Sequence, residues 1–136
     1  MENKELVKLA IDAKKNSSYT PYSKFKVGAA LEMEDGSVYT GGNIEIASYS
    51  PTNCAERTAI FKAVSEGKRE IKKIAITGDA HDTFPCGVCR QVIREFGKNP
   101  TIIIANSVDD FKEYTLEDLL PHSFGPEDLD RGTKNV

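Results

Sequence analysis

No stretch of this 136-residue chain approaches the roughly 20 consecutive apolar residues that cross a bilayer. The first residues, Met1-Glu2-Asn3-Lys4-Glu5, show no basic start followed by an apolar stretch, so no secretory signal is expected. Basic residues are not in surplus: eighteen Lys and Arg stand against twenty-one Asp and Glu, for a net charge of -3. A protein built to hold nucleic acid by its phosphates is usually basic, so that class is disfavoured. Cysteine is scarce. Three thiols cannot all pair with one another, which argues against a disulfide framework and for a reducing compartment, the cytoplasm. What remains is a composition with 39% hydrophobic and 29% charged residues, too apolar for a disordered chain. The length fits one domain spanning 1–136. Residues 131–136 are polar and expected to fray.

The hydrophobic pattern divides the chain into short elements. Residues 3–15 have helical spacing, with Leu6, Ala10 and Ala13 on one face. Phe25, Val27, Ala29, Leu31 and Met33 alternate as on a strand. Asp35-Gly36 then turns the chain into a second strand at Val38-Tyr39-Thr40. The small residues Gly28 and Ala30 would let a helix pack closely on the other face of this hairpin. A loop from Gly41 to Asn53 leads to a helix at about 54–65, a β-rich run at 71–77, and a helix at about 87–96. Thr101-Ile102-Ile103-Ile104-Ala105 is apolar on both faces, as in a central parallel strand. Thr115 caps a short helix that Pro121 ends. Hairpin, then helix, strand, helix, strand predicts a mixed α/β sheet with helices on both faces.

All three cysteines fall at predicted helix starts. Cys54-Ala55-Glu56 opens one helix, and Pro85-Cys86-Gly87-Val88-Cys89 opens the next. A helix N-terminus favours the thiolate, and three converging thiolates suit a borderline-soft cation, zinc above all. The only histidines, His81 and His122, do not stand at a ligand spacing from the cysteine pair. Three protein ligands leave a fourth position for water or hydroxide, the arrangement of catalytic rather than structural zinc. Glu56, two residues after Cys54, would project beside the metal and could move protons between water and a substrate nitrogen. This Cys-x-Glu plus Pro-Cys-x-x-Cys pattern is the one described for zinc nucleobase deaminases. Three other readings are weaker. A target base within RNA or DNA would need clustered basic residues, whereas Lys14-Lys15 and Lys72-Lys73 are scattered. A purely structural zinc module would need a fourth protein ligand. A redox pair at Cys86 and Cys89 would leave Cys54-Ala55-Glu56 unexplained.

The chain resembles the cytidine deaminases over about residues 6–129, and most of all the small three-cysteine, homotetrameric type. Five segments carry the likeness: Phe25-Lys26-Val27-Gly28-Ala29-Ala30; Gly42-Asn43-Ile44-Glu45; Thr52-Asn53-Cys54-Ala55-Glu56-Arg57; Pro85-Cys86-Gly87-Val88-Cys89-Arg90-Gln91-Val92; and Phe124-Gly125-Pro126-Glu127-Asp128-Leu129. The resemblance implies a three-layer α/β/α fold around a mixed five-stranded sheet. It implies hydrolytic deamination of free cytidine and 2′-deoxycytidine, as in pyrimidine salvage, with one zinc per chain. By motif, Cys54, Cys86 and Cys89 would be the metal ligands and Glu56 the proton shuttle. Asn43 and Glu45 would bind the sugar hydroxyls, Phe25 would pack on the pyrimidine, and Ala55 would line the substrate site. Phe124 would reach the site of a neighbouring subunit. Arg57 and Gln91 would stand behind the thiolates, with Arg57 donating hydrogen bonds to them. Ile46 stands where the family commonly has a polar residue.

Overall fold

The computed structural model describes residues 1–129, so the expected fraying of 131–136 lies outside the described residues. In chain order the elements are α1 (Asn3–Ser17), β1 (Val27–Met33), β2 (Val38–Gly42), α2 (Ala55–Ser65), β3 (Ile71–Gly78), α3 (Gly87–Phe96), β4 (Thr101–Ser107), β5 (Asp110–Tyr114) and α4 (Leu116–Leu119). The strands form one sheet in the order β2-β1-β3-β4-β5. Only β3 and β4 run parallel, with α3 as their crossover. The other neighbours are antiparallel, so the sheet is mixed as expected.

Residue parity explains the three layers. Side chains alternate along a strand, so Ile74 and Ile76 of β3, with Ile102 and Ile104 of β4, face one way. They pack with Leu31 and Met33 of β1, with Ala59, Ile60 and Ala63 of α2, and with Ile93 of α3. Ala75, Ile103 and Ala105 face the other way, with Ala30, onto Leu6, Val7 and Ala10 of α1. The short residues on the α1 side bring that helix close. A Cβ on Gly28 would stand 2.1 Å from the Ala10 carbonyl oxygen, so only glycine fits beneath α1. Gly41 does the same under α2, where a Cβ would lie 2.7 Å from the Ala59 backbone nitrogen.

Two expectations need adjusting. Phe25 lies before β1 rather than on it, because the strand begins at Val27. The fifth strand, β5, is an edge with charged residues on its exposed positions, which hides its alternation. Thr115 does cap α4. Its side chain accepts from the Asp118 backbone nitrogen at 3.0 Å, and the Asp118 carboxylate accepts from the Thr115 backbone nitrogen at 2.9 Å. No helix among the described residues is long and apolar enough to cross a membrane.

Candidate active site

The chain folds so that α2 and α3 begin at the same place. Cys54 is the N-cap of α2 and Cys86 the N-cap of α3. Cys89 is three residues beyond Cys86, one helical turn on, so its sulfur returns to the same side. The three Sγ atoms all lie within 4.8 Å of one another, and those of Cys54 and Cys86 are 3.9 Å apart. Two sulfurs on a tetrahedral zinc, each about 2.3 Å from it, are roughly 3.8 Å apart. The donor set therefore suits one zinc, as the cysteine spacing predicts.

Electrostatics suits the same reading. A hydrogen bond from Cys89, followed by those from Arg57 and Cys86, holds the Cys54 thiol down to about 5 against burial. Cys89 is pushed up by that shared hydrogen bond, by burial and by Glu56. Metal ligation requires thiolates, so a bound cation would displace the thiol protons. Arg57 sits at the third position of α2, and its Nη2 reaches back to donate to Cys54 Sγ at 3.3 Å. This is the contact expected of it.

Glu56 faces inward from the first turn of α2 and is only 3% exposed. Burial, reinforced by the Cys54 thiolate, raises its carboxyl to about 7. A carboxyl with that affinity can both accept and return a proton near neutrality.

Gln91, beside Arg90 on α3, donates its amide nitrogen to the Phe124 carbonyl at 2.7 Å and so ties α3 to the C-terminal segment. Its neighbour Arg90 donates to the carbonyls of Pro85 and Leu119, at 2.8 and 2.6 Å, and so fixes the loop that leads into Cys86. Ala55 exposes no surface. It seats α2 on β2, its carbonyl lying against Gly41.

The Asn43-Ile44-Glu45 segment is threaded between two others. Ile44 pairs with Asn53 through two 2.9 Å backbone hydrogen bonds, which ties the segment to the residue just before Cys54. Tyr19 bonds it on the other side, to the Asn43 carbonyl and the Glu45 nitrogen. Asn43 Oδ1 accepts from the Val27 nitrogen and Nδ2 donates to the Phe25 carbonyl, both at 2.9 Å. Asn43 thus holds Phe25 in place. The Phe25 side chain is left 38% exposed. Glu45 accepts from the backbone nitrogens of Tyr22 and Ser23, each at 3.0 Å, and from the Ser23 hydroxyl. The Ser23 bonds hold its carboxyl below the ordinary range.

Tyr22, Ser23, Glu45, Tyr49 and Thr52 line a hollow of about 360 Å³, with the two tyrosine rings edge-on at 6.3 Å. Of these residues the sequence reading assigned a site role only to Glu45, with Thr52 named solely within a motif segment. The signal it passed over was a pair of aromatics in Gly- and Ser-rich loops, where burial alone does not require them. A larger groove of about 790 Å³ runs from Arg94 and Lys98 to Leu116 and Ser123, but it includes no cysteine and not Glu56. His81 is an exposed loop residue beside Asp82. Near the C-terminus, Glu127 pairs with Arg94, and Asp128 accepts from the Gly125 nitrogen.

Comparison with known proteins agrees with this geometry. Residues 1–105 match the family model described as the cytidine and deoxycytidylate deaminase zinc-binding region. A curated cytidine deaminase of Halalkalibacterium halodurans is 50% identical over 131 residues, covering 95% of this chain and 98% of that one. One from Sporosarcina psychrophila is 51% identical over 130 residues, covering 92% and 95%. The crystal structure of cytidine deaminase from Burkholderia pseudomallei superposes with a TM-score of 0.85 at 43% identity, covering 91% of this chain and all of that one. With half of its residues shared across nearly the full length of both chains, and with the three thiols gathered as a zinc-binding deaminase needs them, this chain belongs to the cytidine deaminase family.

Proposed function

We propose that the protein hydrolyses cytidine and 2′-deoxycytidine to uridine and 2′-deoxyuridine, releasing ammonia, as a step of pyrimidine salvage. The observation that carries this is the meeting of three thiols and one buried carboxyl at the starts of α2 and α3. Zinc bound by Cys54, Cys86 and Cys89 would supply a water activated for attack on the ring. Glu56 takes the proton released as water adds to C4 of the pyrimidine. The same carboxyl then delivers protons to N3 and to the amino nitrogen that leaves as ammonia. Asn43 and Glu45 bind the sugar hydroxyls, and Phe25 lies against the ring.

Three thiolates around a bound Zn²⁺ would leave a net negative cluster, which would make its water a poorer acid. Arg57 offsets this by drawing electron density from Cys54. Arg57→Ala is expected to lower zinc retention and turnover by about 10- to 100-fold. Zinc stoichiometry and kcat measured together check this; an unchanged variant would remove Arg57 from the account.

The acidic balance and scattered basic residues favour a free nucleoside over a base within a polymer. Exposed apolar side chains, among them Tyr22, Ile46, Tyr49, Val88 and Phe124, favour a homotetramer in which copies cover one another. A site that needs its thiols reduced fits the cytoplasm. The direct test follows cytidine loss by absorbance, first with zinc-loaded protein and then after chelation. Activity should vanish on chelation and return with zinc alone. Full turnover by the metal-free protein, or none by the zinc-loaded protein, would overturn the reading.

A further inference from the structure

Helix α3 holds two of the three thiols at its start, and a second face of it grips the C-terminal segment. Gln91 and Arg94 are three residues apart and therefore share that face. Gln91 donates to the Phe124 carbonyl at 2.7 Å. Arg94 Nε donates to Ser123 Oγ at 2.9 Å, and its two terminal nitrogens donate to the two carboxylate oxygens of Glu127. Gly125 lies flat on the guanidinium, where a Cβ would stand 2.4 Å from Cζ. One turn on, the Asp128 carboxylate accepts from the Gly125 nitrogen at 2.8 Å, and the Asp128 nitrogen donates back to the Gly125 carbonyl at 3.0 Å.

The backbone on both sides of Phe124 is thus fixed, while the residue itself is 60% exposed. Ordering a segment costs conformational entropy, and burial of its own aromatic ring does not repay that cost here. A bidentate arginine fork is also more directional than a point charge would be. The arrangement sets the direction of an exposed ring instead of anchoring a buried one.

We infer that Arg94 is a positioning residue: its fork on Ser123 and Glu127 aims Phe124, and through Phe124 it sets how tightly nucleoside is held. The inference rests on the proposed place of Phe124 at a neighbouring subunit's site.

The test is a double-mutant cycle in the assembled, zinc-loaded enzyme, comparing wild type, Arg94→Ala, Phe124→Ala and the double variant. KM and kcat for cytidine are read beside zinc content and thermal midpoint. Arg94→Ala should raise KM by about 5- to 30-fold with kcat nearly unchanged, the mark of lost uniform binding. The double variant should be no worse than Phe124→Ala, because Arg94 then has nothing left to aim. Glu127→Gln, a change at an exposed carboxylate, should shift KM the same way by a smaller factor, and it carries the test if Arg94→Ala does not fold. Multiplicative losses in the double variant, or an unchanged KM in Arg94→Ala, would overturn the inference. If instead Phe124→Ala leaves KM unchanged, the placement of Phe124 fails and the inference falls with it.

Discussion

Glu56→Gln is expected to fold, to hold zinc in full, and to lose more than about 10⁴-fold in turnover. A single general acid–base step is worth roughly 10²–10⁴. In the proposed mechanism one carboxyl accepts a proton from water, gives one to N3 and gives one to the departing amine, so its loss would remove several such contributions. The substitution is nearly isosteric, and its site is dry, with Glu56 only 3% exposed. A neutral amide is easier to bury there than a carboxylate, so no fold penalty is expected to blur the result. The three thiols are untouched, so zinc stoichiometry separates a chemical defect from a binding one. kcat at saturating cytidine is the deciding measurement, and near-normal turnover would dismiss Glu56 as the shuttle.

The second large effect concerns the substrate. Free cytosine should be a poorer substrate than cytidine in kcat/KM, because polar groups that read a sugar hydroxyl lose their partner. Asn43 and Glu45 are only half-buried, so the loss should fall below the about 10⁴–10⁵ of a fully buried site. A count of hydrogen-bonding capacity supports this. Asn43 uses one of its two amide protons on the Phe25 carbonyl and one of its two acceptor positions on the Val27 nitrogen. Glu45 takes three donors from Tyr22 and Ser23, out of about four acceptor positions. One donor and one acceptor on Asn43 and one acceptor on Glu45 are left, enough to complement a hydroxyl, which both accepts and donates. Each side chain is held in place by bonds to backbone, so neither can turn away when the sugar is missing. Parallel assays of the two compounds decide it; comparable kcat/KM values would show that the sugar is not read.

The elements legible in advance were those whose burial follows a simple period. The hairpin announced itself through alternation around Asp35-Gly36, and the bounds of α3 follow from Cys86, Gly97 and Pro100. β5 was hidden because Asp110, Lys112 and Glu113 give an edge strand the look of a loop, while Phe111 and Tyr114 pack on opposite layers. The cysteines could be assigned to a metal by count and spacing. That Cys54 and Cys86 would cap two helices meeting 3.9 Å apart is a matter of topology, set by how β3 separates α2 from α3. The second duty of Asn43 is likewise a product of register. Gly28 pairs with Gly42, which brings the next residue, Asn43, opposite Val27. No local pattern contains that information, and the same holds for Gln91, whose partner Phe124 is 33 residues away.

The Ile44–Asn53 pair closes residues 45–52 into a small ring. Loop-closure cost rises only slowly with length, so the ring can be lengthened, shortened or rewritten at little expense while its neck stays shut. Cys54 follows directly on that neck, which insulates the metal ligands from whatever happens within the ring. Ile46, at odds with the common polar residue of the family, sits inside it, bonded through its backbone to Thr52. Tyr49 and Thr52 of the lined hollow sit there too. Outside Glu45, which is tied to Tyr22 and Ser23, the ring is therefore where the proposed sugar side of the site can vary, or be engineered toward altered nucleosides, without moving Cys54.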